Sequence, residues 1–264
     1  MAPGWERERD YMWKVTNQVA RSMVDALDLD EGATILELAC GPADTGFTVL
    51  EKAGSTGRLI ATDFAEQMVD VARRSAAERG ITGIEFRVMN AESMDLPDDS
   101  VDAIVCRWGF MLMLDPASAL RESRRVLREA GRLSFSVWGG PEKNPWITVM
   151  GMVMTQQGHP PQGDPWGPGG MFSLSDPSKI ERMVKEAGFA NVETKEVPVE
   201  WTFADFDEMW GFTTELAGAL AALVQELPDD EVGELRRAYE EAVQPYRTSE
   251  GFAIPGVTIN AVAH

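Results

Sequence analysis

Cysteine and histidine are nearly absent from this chain. Two of its 264 residues are Cys, Cys40 and Cys106, and two are His, His159 and His264. Both cysteines fall at the ends of apolar runs, so they read as small core residues in a reducing, cytoplasmic compartment, not as a bridge or a metal pair. Without a Cys/His cluster at ligand spacing, no metal site is expected. Positive charge is scarce as well: 24 Lys and Arg stand against 43 Asp and Glu, a formal net charge of −19. Nucleic acid and anionic membrane surfaces are therefore poor partners, because phosphate binding needs clustered Lys and Arg. No uninterrupted apolar run reaches the roughly 18 residues of a membrane span. The opening residues, MAPGWERERD, are charged from Glu6 onward and lack the apolar core of a secretion signal. No internal repeat is evident. With 44% hydrophobic residues the chain still has ample material for a core, in one large domain or two small ones.

The chain is organised around ATILELACGPADTG, Ala33 to Gly46. An apolar run from Ile35 to Ala39, broken only by Glu37, turns through Cys40-Gly41-Pro42 and meets Asp44 and Thr45, both good helix N-caps. A buried strand that ends in a Gly turn and opens a helix is the cofactor-cradling corner of a doubly wound α/β fold. Arg58 to Thr62 reads as the next buried strand, closed by Asp63, 22 residues after Gly41. A carboxylate at that spacing is placed to accept hydrogen bonds from a ribose diol. The turn suits a dinucleotide badly. Against G-x-G-x-x-G, Ala39 stands at the first glycine position before Gly41, Pro42 has no N–H to offer, and Asp44 would repel a pyrophosphate. An acidic, phosphate-free pocket that includes Glu37 suits a cofactor with an ammonium, a sulfonium and a ribose, namely S-adenosylmethionine (SAM).

ELACGPADTG, ATDFAEQMVDVARR and VMNAESMDLPDDSVDAIVCRWGFMLMLDP together resemble the successive motifs of class I SAM-dependent methyltransferases. The similar branch is the one that includes the ubiquinone/menaquinone-biosynthesis C-methyltransferases. The resemblance is dense from Gly32 to Trp138 and thinner near residue 190; it departs from the usual glycines at Ala39 and Ala43 and from the usual Asp at Asn90. It implies a Rossmann-like α/β fold: a doubly wound seven-stranded sheet, mostly parallel with an antiparallel last strand, plus helical cap insertions. It also implies a cofactor site of Glu37, Ala39, Gly41, Asp63, Phe64, Met68, Asn90, Ala91, Glu92 and Arg107, with S-adenosylhomocysteine (SAH) as product. Asn90 would face the adenine, and the backbone near Arg107 the methionine end.

One methyltransferase domain is expected, divided as an N-terminal helix (1–30), a SAM-binding core (31–138), a lid loop (139–174), more core (175–203), a helical cap (204–250) and the last strand (251–264). Met12, Val15, Val19, Met23 and Leu27 recur at helical spacing, so Trp5 to Leu27 is an amphipathic helix. Helices are expected over Asp44–Ala53, Ala65–Arg79 and from Asp115-Pro116 to Ala130, the last stopped by Gly131; strands over Ile84–Met89, Val101–Cys106 and Leu133–Val137. Met111 to Leu114 reads as core. Trp138 to Gly170 is rich in Gly, Pro and Trp and reads as a functional loop. Ser175 or Asp176 caps a helix ended by Gly188, and Asn191 to Phe203 alternates as a strand. Ala204 to Glu226 and Asp229 to Val243 form two helices, with Phe206, Met209, Trp210, Phe212, Leu216, Leu220 and Leu223 apolar along the first.

Methyl transfer from a sulfonium is an in-line displacement with an activated leaving group, so alignment and dehydration supply much of the acceleration. A base is needed only if the acceptor must lose a proton, and His159 is the natural candidate. Aromatic residues, among them Trp108, Phe110, Trp138 and Trp210, suggest a planar or apolar small-molecule substrate, methylated at C, O or N. The alternatives are a non-catalytic SAM-binding scaffold of the same fold and an NAD-dependent oxidoreductase.

Overall fold

The computed structural model describes residues 8–216, 224 and 226–264. These divide into two compact units: a larger one of Thr16–Gly139, Pro165–Val197 and Thr258–His264, and a smaller one of the chain up to Val15, Gly140–Asp164 and Pro198–Val257. No described helix is long and apolar enough to cross a membrane.

The strands are β1 (Thr34–Glu37), β2 (Arg58–Asp63), β3 (Ile84–Val88), β4 (Val101–Arg107), β5 (Leu127–Trp138), β6 (Val192–Phe203), β7 (Arg247–Thr248) and β8 (Gly251–Ala263). They form one sheet in the order β3-β2-β1-β4-β5-β8-β6, with the two-residue β7 bonded to β8. β1 to β5 pair in parallel, and β8 runs antiparallel to β5. The expected seven-stranded path is present, and β7 is an addition to it. Ile35, Leu36, Ile104 and Val105 are fully buried, as a parallel sheet covered on both faces requires. The helices are α1 (Arg9–Asp25), α2 (Asp44–Ala53), α3 (Glu66–Arg79), α4 (Pro116–Val126), α5 (Pro145–Gln156), α6 (Pro177–Glu186), α7 (Phe206–Leu216) and α8 (Asp229–Ala242). The apolar positions of α1 that the periodicity singles out are buried, and so is Leu27 just beyond it.

Several local expectations are corrected. The helix opened by Pro116 ends at Val126, not Ala130. The carbonyls of Arg125 and Val126 accept from the amides of Asp99 and Ser100, at 3.1 and 2.8 Å, so the chain is already committed to the sheet. Leu127 pairs with Val101 and Arg132 with Ala103, leaving residues 128–131 as a bulge. Asp102 holds it, accepting from Arg128 and from the Thr34 amide. Gly131 therefore sits in the bulge and stops no helix. The segment 139–174 is not one long loop, because α5 occupies part of it. Met111 is core, but Leu112 and Leu114 are exposed. Asp176, not Ser175, caps α6, accepting from the Ser178 amide at 2.9 Å. Residues 5–7 of the first helix, and Leu220 and Leu223 of the expected cap helix, lie outside the described residues.

The smaller unit has an aromatic core. Tyr11, Trp201, Phe203 and Phe212 pack with ring centroids 5.0–6.4 Å apart, and Trp146 lies 4.5 Å from Trp201. The Tyr11 hydroxyl donates to the Thr202 carbonyl at 2.8 Å, and burial raises its pKa. Such rings bring large apolar area at low entropic cost, and the hydroxyl keeps its hydrogen bond. Asn144, a residue that carries no motif, ties this unit together: its Nδ2 donates to the Val257 carbonyl and its Oδ1 accepts from the Val257 amide, both at 3.0 Å.

Candidate cofactor site

The turn after β1 is built from three left-handed residues. Ala39, Gly41 and Ala43 have φ of 49°, 51° and 65°. Only glycine adopts this conformation without steric cost. The two alanines that stand where the resembled family uses glycine therefore keep the backbone that glycine would take. Cys40 N donates to the Thr62 carbonyl at 2.9 Å, which pins the turn to β2. A Cβ on Gly41 would meet only the Met68 methyl, at 3.9 Å, so the outer surface of the turn is open.

Asp44 and Thr45 do not cap α2. Ala43 occupies the N-cap without a side-chain bond, and Asp44 lies in the first turn, where its carboxylate is buried and paired with Arg79 at 2.6 Å. That pairing removes much of the repulsion expected between Asp44 and a pyrophosphate. The case against a dinucleotide rests instead on Pro42, which has no N–H to offer a pyrophosphate.

Asp63 ends β2 and uses both oxygens on backbone amides: Oδ2 accepts from Gly41 and Oδ1 from Ala65, each at 3.0 Å. A carboxylate has about four lone-pair sites, so two bonds leave acceptor capacity at the strand tip. Glu37 lies deeper. Its carboxyl is buried beneath the first turn of α2, where Oε1 accepts from the Gly46 amide at 2.9 Å and Oε2 has no hydrogen-bond partner. Burial pushes its pKa up to about 8, against the opposing pull of the Gly46 amide and the nearby Arg107 guanidinium. The positive end of α2 adds to that pull.

Arg107, at the tip of β4, holds two helices. Its Nε donates to the Thr45 hydroxyl at 2.9 Å and its Nη1 to the Thr16 hydroxyl at 2.8 Å, joining α2 to α1. Burial lowers its pKa, while Asp44 and Glu37 raise it. Trp108 follows with φ of 59°, an outlier for so bulky a residue. Its ring stacks on Trp138 at 4.4 Å and lies 4.8 Å from the Arg107 guanidinium. Phe110 is fully buried against Phe135, 4.9 Å away.

At the tip of β3, Asn90 Oδ1 accepts from the Glu92 amide at 2.9 Å, so the oxygen expected to face an adenine also closes a turn, and a second lone pair and the amide donors remain for a ligand. Ala91 is half-buried between these two residues. Glu92 Oε1 accepts from the amides of Leu114 and Asp115, at 2.9 and 3.0 Å, and thereby anchors the loop after β4. Phe64 is exposed at the tip of β2. The segment after α5 returns to the same edge: Ser173 donates to the Met111 carbonyl at 2.7 Å and the Gly169 amide to the Met113 carbonyl at 3.1 Å. The larger unit thus brings together every expected cofactor residue, along with Trp108, Phe110 and Trp138. His159 and Trp210 belong to the smaller unit, where His159 Nε2 lies 3.3 Å from Glu231 and the Trp210 ring 6.4 Å from that of Tyr239. The bridging role of Arg107 and the anchoring role of Glu92 are not visible in the sequence, since both depend on residues distant along the chain.

The model of the ubiE/COQ5 methyltransferase family matches residues 10–144, just over half of the chain. The protein belongs to this family. Among curated relatives, the aklanonic acid methyltransferase DauC of Streptomyces sp. (strain C5) is 31% identical over 118 residues, covering 45% of this chain and 54% of its own. The ubiquinone/menaquinone biosynthesis C-methyltransferase UbiE of Enterobacter sp. (strain 638) is 32% identical over 123 residues, covering 46% and 47%. The chain thus spans about half the length of these relatives. The crystal structure of the YcgJ protein of Bacillus subtilis superposes with a TM-score of 0.60 at 19% identity, over 94% of this chain and 97% of that one. The two structures therefore share a fold.

Proposed function

We propose that this protein uses SAM to methylate a small apolar or aromatic metabolite at carbon, oxygen or nitrogen. The observation that carries the reading is the open, left-handed turn at Gly41 with the Asp63 carboxylate bonded to it. Asp63 is suited to accept from the ribose hydroxyls, beside Phe64, Met68, Asn90 and Ala91. Glu37 sits beneath the turn, protonated below about pH 8, and a bound ammonium above it would favour its carboxylate form without direct contact. Arg107 orients the turn by linking α1 and α2. SAM, when bound, supplies a methyl group already activated on sulfur. The protein's part is then to align the acceptor and exclude water, which reaches useful rates without a covalent intermediate. The names of DauC and UbiE favour a planar acceptor such as a polyketide or a quinol precursor.

The test is a methyl-transfer screen with labelled SAM over quinols, phenols, enolisable polyketides and amines. Turnover of a ring-containing acceptor supports the reading. SAH binding with no transfer to any member of the screen would favour a non-catalytic scaffold.

A further inference from the structure

Along α1, on the larger unit, lies a cavity of about 550 Å³ that includes none of the residues of the cofactor turn. Its floor is Ser134 of β5 with Asn260 of β8; one wall carries Asn17 and Arg21 of α1, the other Glu193 and Lys195 of β6. The volume suits a small metabolite.

The lining mixes polar and apolar surface, with polar groups on its floor. Ser134 is 1% exposed and Asn260 7% exposed, yet both border the cavity. Asn260 Nδ2 donates once, to the Val19 carbonyl at 3.1 Å, which leaves its second N–H available. Buried polar groups in proteins are seldom left unpaired, and an apolar occupant would leave that Asn260 N–H so.

The charges narrow the occupant further. Asp25, which also borders the cavity, is engaged by Lys52 at 3.3 Å. Arg21, Lys195 and Glu193 enter no ion pair among the described residues. Arg21 and Lys195 attract an anionic group, and Glu193 a cationic one. We infer that this cavity is a second ligand site, for a small zwitterion of the amino-acid type, with its carboxylate on Arg21 and Lys195, its ammonium on Glu193 and its polar body on Ser134 and Asn260. Arginine suits that carboxylate because its planar fork donates two parallel bonds. The site is independent of the methyl-transfer reading. Thr16, the residue before Asn17, accepts the Arg107 bond, so α1 serves both places.

The test is saturation-transfer NMR on the full chain with the twenty common amino acids, succinate and putrescine, each in saturating SAH so that the cofactor turn is not the binding site. At least one amino acid should saturate with a dissociation constant below about 1 mM. Arg21→Ala and Lys195→Ala, both at exposed positions, should each weaken it about tenfold or more, with SAH affinity unchanged. Succinate and putrescine should bind more weakly than that amino acid. No saturable amino-acid binding below about 10 mM, equal binding of the three ligand types, or full binding in both variants would overturn the inference.

Discussion

The Gly46 amide donates to Glu37 Oε1 at 2.9 Å, and a methyl group on Gly46 would overlap Glu37 Oε2 and stand 2.8 Å from Leu59 Cδ2. A buried carboxyl and the first turn of a helix therefore fit only because residue 46 has no side chain. Alanine normally stabilises a helix interior by about 0.5–1 kcal/mol over glycine. Here overpacking reverses the sign, and Gly46→Ala should destabilise the protein by about 1–3 kcal/mol. Urea unfolding measures it; a more stable variant would contradict the packing described.

Glu37 also makes stability depend on pH. Its pKa is raised from 4.5 to about 8 by burial, so between those values the folded state holds a proton that the unfolded chain has lost. Stability from this residue is thus fully present below about pH 4.5 and lost as pH rises through 8. Glu37→Gln keeps an acceptor for Gly46 and carries no charge. Its melting temperature relative to the parent should rise between pH 5 and pH 9. A difference that does not change with pH would mean the carboxylate is not desolvated.

Ala39 and Ala43 pay for their left-handed conformation, with φ of 49° and 65°. An L-residue there costs about 1–2 kcal/mol, while glycine gives back about 0.4–1 kcal/mol in unfolded-chain entropy. Ala43→Gly should therefore be neutral to stabilising by about 1 kcal/mol. A loss above about 1 kcal/mol would show that the Ala43 methyl, fully buried, contributes more through packing than the strain removes.

His159 stands 3.3 Å from Glu231 in the smaller unit, an arrangement that fixes a surface side chain as readily as it prepares a base. With an activated methyl donor no base is obligatory, so His159→Ala should retain turnover within about tenfold across pH. A fall of about 100-fold with loss of the low-pH limb would assign general-base catalysis to it.

The parts of the site that local chemistry dictates were legible in the sequence. An apolar run, a Gly turn and a carboxylate at fixed spacing define β1, the turn and Asp63 whatever else the chain does. Features imposed from afar were not. The end of α4 at Val126 depends on amides of Asp99 and Ser100, and no stop signal stands at residue 127. α5 was hidden by the Pro- and Gly-rich residues around it, although Asn144-Pro145 opens it with proline at its first position. Glu37 at a strand tip looked like a ligand contact, yet its carboxyl turns inward under α2 because Gly46 leaves room for it. Alanine gives no hint of a left-handed residue, so the true N-cap of α2 passed unnoticed beside Asp44 and Thr45.

Titration calorimetry decides whether the turn at Gly41 and the carboxylate of Asp63 hold SAM. The parent protein should bind SAH saturably and show no heat with NAD. Asp63→Ala should lose charge-assisted bonds worth about 1.5–3 kcal/mol each, weakening SAH by roughly tenfold or more. Binding of NAD in place of SAH, or an SAH dissociation constant unchanged in Asp63→Ala, would mean that Asp63 and this turn do not hold SAM.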